Sequence, residues 1–144
     1  MTRKALMLLA TVALMVVAAS AVAAAATPMG ETSTHVRANL EPRHDSGVHG
    51  TVHLFQLPSG ETQIVVLAKG LTPGKRYISL YYDNSRCHLE PYEEEDVIGG
   101  PYTALPGGFG FTTGTADDDL DEINSVSVRS AKTFRLLACA RVHH

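Results

Sequence analysis

The chain has 144 residues, of which 44% are hydrophobic, and it carries a formal net charge of −3 at pH 7. This length provides enough apolar surface for one domain with a modest core. The mildly acidic balance, without a basic cluster, argues against nucleic acid as a partner, because binding phosphates requires clustered cations.

The first 26 residues have the layout of a secretory signal peptide. A positive start at Arg3-Lys4 precedes an apolar run that extends to about Val22, and small residues end the segment at Ala26. An uncleaved anchor is the alternative, since about 20 apolar residues can span a bilayer. An alanine-rich segment, however, partitions weakly into lipid. We therefore predict a signal peptide over residues 1–26, a secreted or periplasmic protein, and no membrane span after cleavage.

The rest of the chain has the pattern of an all-β domain. Residues 27–33 are predicted to form a flexible leader, and residues 34–144 the domain. There, short alternating runs are separated by the turn-rich segments "RHDSG", "LPSG" and "LTPG". Strands are predicted at 34–42, 48–56, 62–69, 75–82, 108–115, 124–130 and 134–142, with a short one near 101–105. So many short strands indicate a Greek-key β-sandwich or a flattened eight-stranded barrel.

Alternation along the strands predicts which side chains face the core. In the second strand, Val48, Val52 and Leu54 point to one side, and His49 and His53 to the other. In the last strand the predicted core face consists of Phe134, Leu136, Ala138, Ala140 and Val142. Cys139 then lies on the outer side of that strand, where a long loop that carries Cys87 can reach it.

The two cysteines, Cys87 and Cys139, are expected to pair. In an oxidising compartment pairing is the default state of two thiols. In the chain-entropy model the bridge would stabilise the fold by about 4 kcal/mol, because it closes a long loop in the unfolded chain.

Two acidic runs separate strands, and we interpret both as solvated loops. Residues 93–96, "EEED", lie near the start of a long connection rich in Gly and Pro, and residues 117–122, "DDDLDE", follow the strand at 108–115. A calcium loop in the second run is the lesser alternative. An EF-hand would require Gly where Glu122 stands, so that motif is absent.

Four segments resemble the copper/zinc superoxide dismutase family. They are "GVHGTVHLFQ", "VVLAKGLTPGKRY", "DNSRC" and "RLLACARV", in the family's order, and they cover roughly half of the predicted mature chain. The most specific parts are the Gly-Leu-Thr-Pro-Gly turn and the two cysteine contexts. The chordin-type (CHRD) domain is a looser relative that is similar in its Gly-Leu turn and β-sandwich character. The resemblance implies an eight-stranded Greek-key barrel, an intrasubunit Cys87–Cys139 disulfide, a copper and zinc site, and a homodimer.

The metal ligands that the resemblance implies are not retained. The family's His-x-His pair, aligned through "GLTPG" and "DN", falls on Ser79 and Tyr81, and neither is a credible copper ligand. Between Leu89 and Val142 the chain has no histidine. The family draws its bridging, zinc and last copper ligands from that interval.

The family's substrate-steering elements are also altered. The loop before the last strand is reduced to a few residues around "SAKTF". Arg135 resembles the substrate-guiding arginine, but it lies four residues before Cys139, where the family spacing is three. In a strand this shift changes the face unless a bulge absorbs it.

A relocated metal site is one alternative. His49 and His53 share a strand face about 13 Å apart, which is too far to chelate one ion without a neighbouring strand. If the first and last strands are neighbours, His143 and His144 could complete a copper or zinc site. The competing interpretation is a set of scattered, exposed imidazoles.

A tyrosine-lined binding patch is a second alternative. Tyr77, Ser79 and Tyr81 share one strand face, where the family keeps its metal. Aromatic residues on strands more often pack than bind ligands.

The sequence therefore predicts a secreted, superoxide dismutase-like β-sandwich without the copper and zinc ligands. We expect no catalytic residues and no cofactor, and a role in binding or structure. The alternative is a related metalloprotein that dismutates superoxide, or binds copper or zinc, at a reduced or relocated site.

Overall fold

The computed structural model describes residues 34–143. The predicted signal peptide (1–26), the predicted leader (27–33) and His144 lie outside the described residues. Eight β-strands and one 3₁₀ turn, Glu94–Asp96, form the described part, in which no helix is long and apolar enough to cross a membrane. The strands are β1 (His35–Pro42), β2 (His49–Gln56), β3 (Thr62–Lys69), β4 (Arg76–Tyr82), β5 (Tyr102–Thr103), β6 (Gly110–Ala116), β7 (Ser125–Ser130) and β8 (Leu136–Arg141).

The strands form one antiparallel sheet that curls into a nearly closed barrel. Their order is β5-β4-β7-β8-β1-β2-β3-β6. Because β3 and β4 are consecutive in sequence but distant in this order, the chain crosses the barrel between them, as Greek-key folds require. The all-β prediction of a flattened eight-stranded barrel is confirmed, and each predicted strand appears within a few residues of its expected bounds.

Residues 97–99 bridge β4 and β6, which lie on either side of the gap in the barrel. The backbone N–H of Ile98 donates to the carbonyl of Ser79 on β4, at 2.9 Å. The hydroxyl of Thr112 on β6 donates to the carbonyl of Ile98, at 2.8 Å. A single segment therefore bonds to both sides of the gap, which covers polar groups that an open sheet would leave available for aggregation.

The main core fills the inside of the barrel, as the alternation predicts. Val48, Val52 and Leu54 of the second predicted strand are buried in it, and His49 lies on the outside. The most deeply buried apolar members are Val52, Leu54, Ile64, Val66, Ile123, Val126, Val128, Ala138 and Ala140.

A β-bulge in β8 corrects one part of the face assignment. Val128 pairs with Ala138 but Arg129 pairs with Leu136, so Leu137 is the extra residue. Leu137 packs against the main core, whereas Leu136 and Phe134 pack on the outer side. The prediction that Phe134 and Leu136 face the main core is therefore wrong, because the inserted residue reverses the alternation before it.

A second, smaller apolar cluster lies outside the barrel around the disulfide. Cys87 and Cys139 are bonded, with their Cα atoms 5.9 Å apart, and both are almost fully buried. Their neighbours in this cluster are Ile78, Leu80, Tyr82, Val97, Ala131, Phe134 and Leu136. The predicted pairing, and the placement of Cys139 on the outer side of β8, are confirmed.

Removing the bridge by the double replacement Cys87→Ala and Cys139→Ala is expected to lower the free energy of unfolding by about 4 kcal/mol. The unfolded chain regains the entropy of a loop whose ends are 52 positions apart. Urea denaturation followed by circular dichroism measures the loss. The unmutated protein in reductant is the control and should lose a similar amount, and a loss below about 1 kcal/mol would contradict the argument.

Candidate functional site

The two positions that align with the family's His-x-His pair lie on the inner face of β4. Ser79 is fully buried, and its hydroxyl lies 2.9 Å from the hydroxyl of Tyr102 on β5. Burial raises the pKa of Tyr102 to about 12, so that phenol stays protonated at neutral pH. The ring of Tyr81 packs in the main core. A buried hydroxyl and a phenol do not fit a copper or zinc site of the family type, which requires several imidazoles.

The predicted tyrosine patch presents little surface to a partner. Tyr77 is 5% exposed, and its hydroxyl accepts a hydrogen bond from the backbone N–H of Thr72 at 2.8 Å. Ser79 is fully buried, and Tyr77 and Tyr81 line two different clefts on either side of it. Binding at the patch as a whole stays a prediction.

The histidines proposed for a relocated metal site have separate partners. The Nδ1 atom of His49 lies 3.0 Å from the carbonyl of Gly47, and the Nε2 atom of His143 lies 3.0 Å from the carbonyl of Leu120. His53 contacts neither His49 nor His143; its partner is His35. No group of three His, Cys, Asp or Glu side chains that could hold a metal ion occurs between residues 34 and 143. Copper or zinc binding by His49, His53, His143 and His144 stays a prediction.

An aromatic stack on the outer face of β1 and β2 contains the His35–His53 pair. The Nε2 atom of His35 lies 3.0 Å from the Nδ1 atom of His53, and the His35 ring stacks on Phe55 with a centroid distance of 4.4 Å. Partial burial, followed by the charges of His35 and Arg37, lowers the pKa of His53. The sequence prediction missed His35 because the contact is diagonal: His53 pairs with Arg37, and His35 with Phe55. Only the strand register could have indicated it.

A cleft that we name the Tyr81 cleft opens where β4 ends. Its volume is about 210 Å³. Four carboxylates line it, those of Asp83, Glu90, Asp96 and Asp118, together with Tyr81, Tyr82, Pro91 and Tyr92. Because these residues come from the end of β4, the loop that follows it, and the loop after β6, no single stretch of sequence contains the cleft.

The two acidic runs face this same cleft. Burial raises the pKa of the Tyr81 hydroxyl, and the charges of Asp118 and Asp96, one from each run, raise it further. The pKa of Glu95 is raised by its hydrogen bond to Glu93 and by nearby carboxylates, among them Asp117 of the other run. The sequence interpretation of two separate solvated loops is therefore incomplete, because carboxylates of both loops raise the pKa of the same residue, Tyr81.

Tyr81 is largely buried at the cleft and has no hydrogen-bond partner for its hydroxyl among residues 34–143. The residue is 9% exposed. Every fully buried side-chain polar atom in the described chain has a partner, so the unpartnered Tyr81 hydroxyl is one that solvent reaches. The four cleft carboxylates likewise form no ion pair with any described residue. The cleft thus presents negative charge and a free phenol to solvent.

A buried arginine holds the loop that forms one wall of the cleft. Arg129 on β7 is 6% exposed and donates to the Tyr82 hydroxyl at 3.0 Å, to the carbonyl of Phe134 at 2.7 Å, and to the carbonyl of Cys87 at 2.7 Å. The backbone N–H of Cys87 donates to the hydroxyl of Ser125 at 3.1 Å. The loop is therefore fixed by hydrogen bonds as well as by the disulfide.

No protein-family model matches the chain, and no curated protein is significantly similar to it in sequence.

Replacing the buried arginine, Arg129→Met, is expected to lower the free energy of unfolding by about 3 kcal/mol, because two buried acceptors and one partly buried acceptor lose their donor. Chemical denaturation measures the change. Arg135→Met is the matched control, since Arg135 is exposed and its side chain donates to a single described acceptor, the carbonyl of His44, at 3.2 Å. The control is expected to change stability by less than about 0.5 kcal/mol, and equal losses in the two variants would contradict the assigned role.

The His35–His53 pair gives the fold a defined pH dependence. The pKa of His53 in the folded chain lies below its ordinary value of 6.5. As the pH falls, the unfolded chain is therefore protonated at His53 before the folded chain is. Stability that is fully present above pH 6.5 is therefore lost as the pH falls towards the lower folded pKa. Nuclear magnetic resonance titration of the ring protons measures this pKa. It is expected to rise towards 6.5 in His35→Gln, and the same value in both proteins would refute the contribution of His35.

Proposed function

We propose that this chain is a secreted or periplasmic domain of the copper/zinc superoxide dismutase type that has lost the family's metal chemistry and acts by binding or as a structural protein. The flattened eight-stranded barrel supports this proposal. So does the disulfide between the two cysteine contexts that resemble the family's. Fold likeness alone does not determine function, because function depends on the groups at the site.

The single observation that carries the proposal is the environment of Ser79. Its side chain is fully buried and hydrogen-bonded to Tyr102, at a position where the family places a copper ligand. An ion would need three or more new nitrogen ligands here, together with a space that the Tyr102 hydroxyl fills. We therefore assign no redox step and no catalytic residue to this chain.

The disulfide also supports an extracellular or periplasmic location. Cys87 and Cys139 are 1% and 2% exposed and lie within an apolar cluster, which is typical of a structural bridge. Such bridges persist in oxidising compartments. The signal peptide at 1–26 and a homodimer remain expectations from sequence.

Metal binding is the second candidate function, and one observation favours it. His35 and His53 lie on neighbouring strands with ring nitrogens 3.0 Å apart. Two imidazoles can provide half of a tetrahedral copper or zinc site. This would be a relocated site, on the outer face of β1 and β2 rather than at β4.

The two candidates are separated by metal content and dismutase activity. The untagged protein, purified from the expressing cell, is analysed for copper and zinc and then assayed for superoxide dismutation after incubation with both metals and removal of the unbound excess. We expect much less than one metal ion per chain and no activity above the buffer. Stoichiometric copper with activity would overturn the proposal. Metal that is bound in the unmutated protein and lost in a His35→Gln, His53→Gln variant would establish the second candidate.

A further inference from the structure

The Tyr81 cleft combines uncompensated negative charge with aromatic surface. Asp96 and Asp118 line it from two different loops, and no described cation pairs with either. Like charges held at one place repel each other, and a bound cation relieves that repulsion. The cleft therefore favours a positively charged ligand.

The Tyr81 hydroxyl is a second, independent sign of a ligand. Its side chain is about nine-tenths buried and lines the cleft, yet the hydroxyl has no hydrogen-bond partner among the described residues. No described group occupies the hydroxyl, and solvent reaches it within the cleft. This hydroxyl is available to accept a hydrogen bond from a donor that enters the cleft.

The size and lining of the cleft favour an organic cation over a metal ion. Its volume of about 210 Å³ equals roughly seven water molecules at about 30 Å³ each, which exceeds the needs of one small ion. Tyr92, whose ring packs on Phe134 at a centroid distance of 5.7 Å, supplies apolar surface together with Pro91. A metal ion gains little from such surface, whereas an alkylammonium gains cation–π attraction and burial of its methylene groups.

We propose that the Tyr81 cleft binds an alkylammonium group, supplied either by a lysine side chain or by a free polyamine. The ammonium lies among the carboxylates of Asp96 and Asp118 and donates to the Tyr81 hydroxyl, and its alkyl chain packs on Tyr92. This inference rests on the proposed binding function and names the class of its ligand.

Calorimetric titration tests the site in the full chain, expressed with its own amino-terminal segment and purified from the host. The probes are spermidine, N-acetyl-lysine methylamide and calcium chloride. One organic probe is expected to bind with one site per chain, more weakly at high salt because its charge is screened. The tighter of the two organic probes identifies the source of the ammonium.

Three variants assign the binding to the cleft. The double replacement Asp96→Asn and Asp118→Asn keeps the side-chain shapes and is expected to weaken binding at least about tenfold. Tyr81→Phe keeps the ring and is expected to weaken it about threefold, the effect of one hydrogen bond. Asp121→Asn is the matched control, because it removes an exposed carboxylate of the same acidic run that does not line the cleft. It should leave the affinity unchanged.

The proposal is overturned if neither organic probe binds, if calcium binds more tightly than both, or if the Asp96→Asn, Asp118→Asn variant binds as well as the Asp121→Asn control. Unchanged circular dichroism spectra establish that the variants are folded. Metal content and dismutase activity are measured on the same preparation. A protein that lacks metal, activity and ammonium binding therefore refutes the ligand class alone, and an active copper protein refutes the proposed function.

Discussion

The attachment of the loop after β4 to the outside of the barrel is the constraint on which the Tyr81 cleft depends. The loop after β4 contains only a single 3₁₀ turn, yet three contacts fix it. Cys87 is bonded to Cys139 on β8, the Cys87 carbonyl accepts from Arg129, and the Ile98 N–H donates to Ser79. Between these contacts the loop forms one wall of the Tyr81 cleft. The same contacts that close the barrel and cover the disulfide therefore create the cleft.

Strand β4 has the residues that the fold requires but lacks the imidazoles that copper chemistry requires. The strand order and the disulfide require apolar alternation and two cysteines, and both are present. Copper chemistry would need imidazoles on the inner face of β4, where Ser79 and Tyr81 make hydroxyl and packing contacts instead. The carboxylates that converge beside Tyr81 belong to loops, the parts of a fold that vary most readily. The charge at this end of the barrel can thus vary while the barrel keeps its shape.

The sequence predicted the strands well because they depend on local information, and it predicted the disulfide because the chain has only two cysteines. A strand with one buried face alternates with period two, and Val52 and Leu54 follow that rule without exception. The reversed faces of Phe134 and Leu136 could not be predicted, because a bulge is defined by its partner strand. The His35–His53 contact depends on register for the same reason. The convergence of Asp96 and Asp118 was also missed, because two loops that are distant in sequence meet only after the barrel closes.

The bulge at Leu137 separates two neighbouring leucines into different environments. Leu136 covers the disulfide on the outside, whereas Leu137 packs against the barrel interior. The two positions are therefore expected to tolerate different substitutions: a change in size at Leu136 alters the cover of the bridge, and one at Leu137 alters a contact with the main core. Among homologues, substitutions at the first position should be accepted more readily than at the second, although both residues are chemically the same.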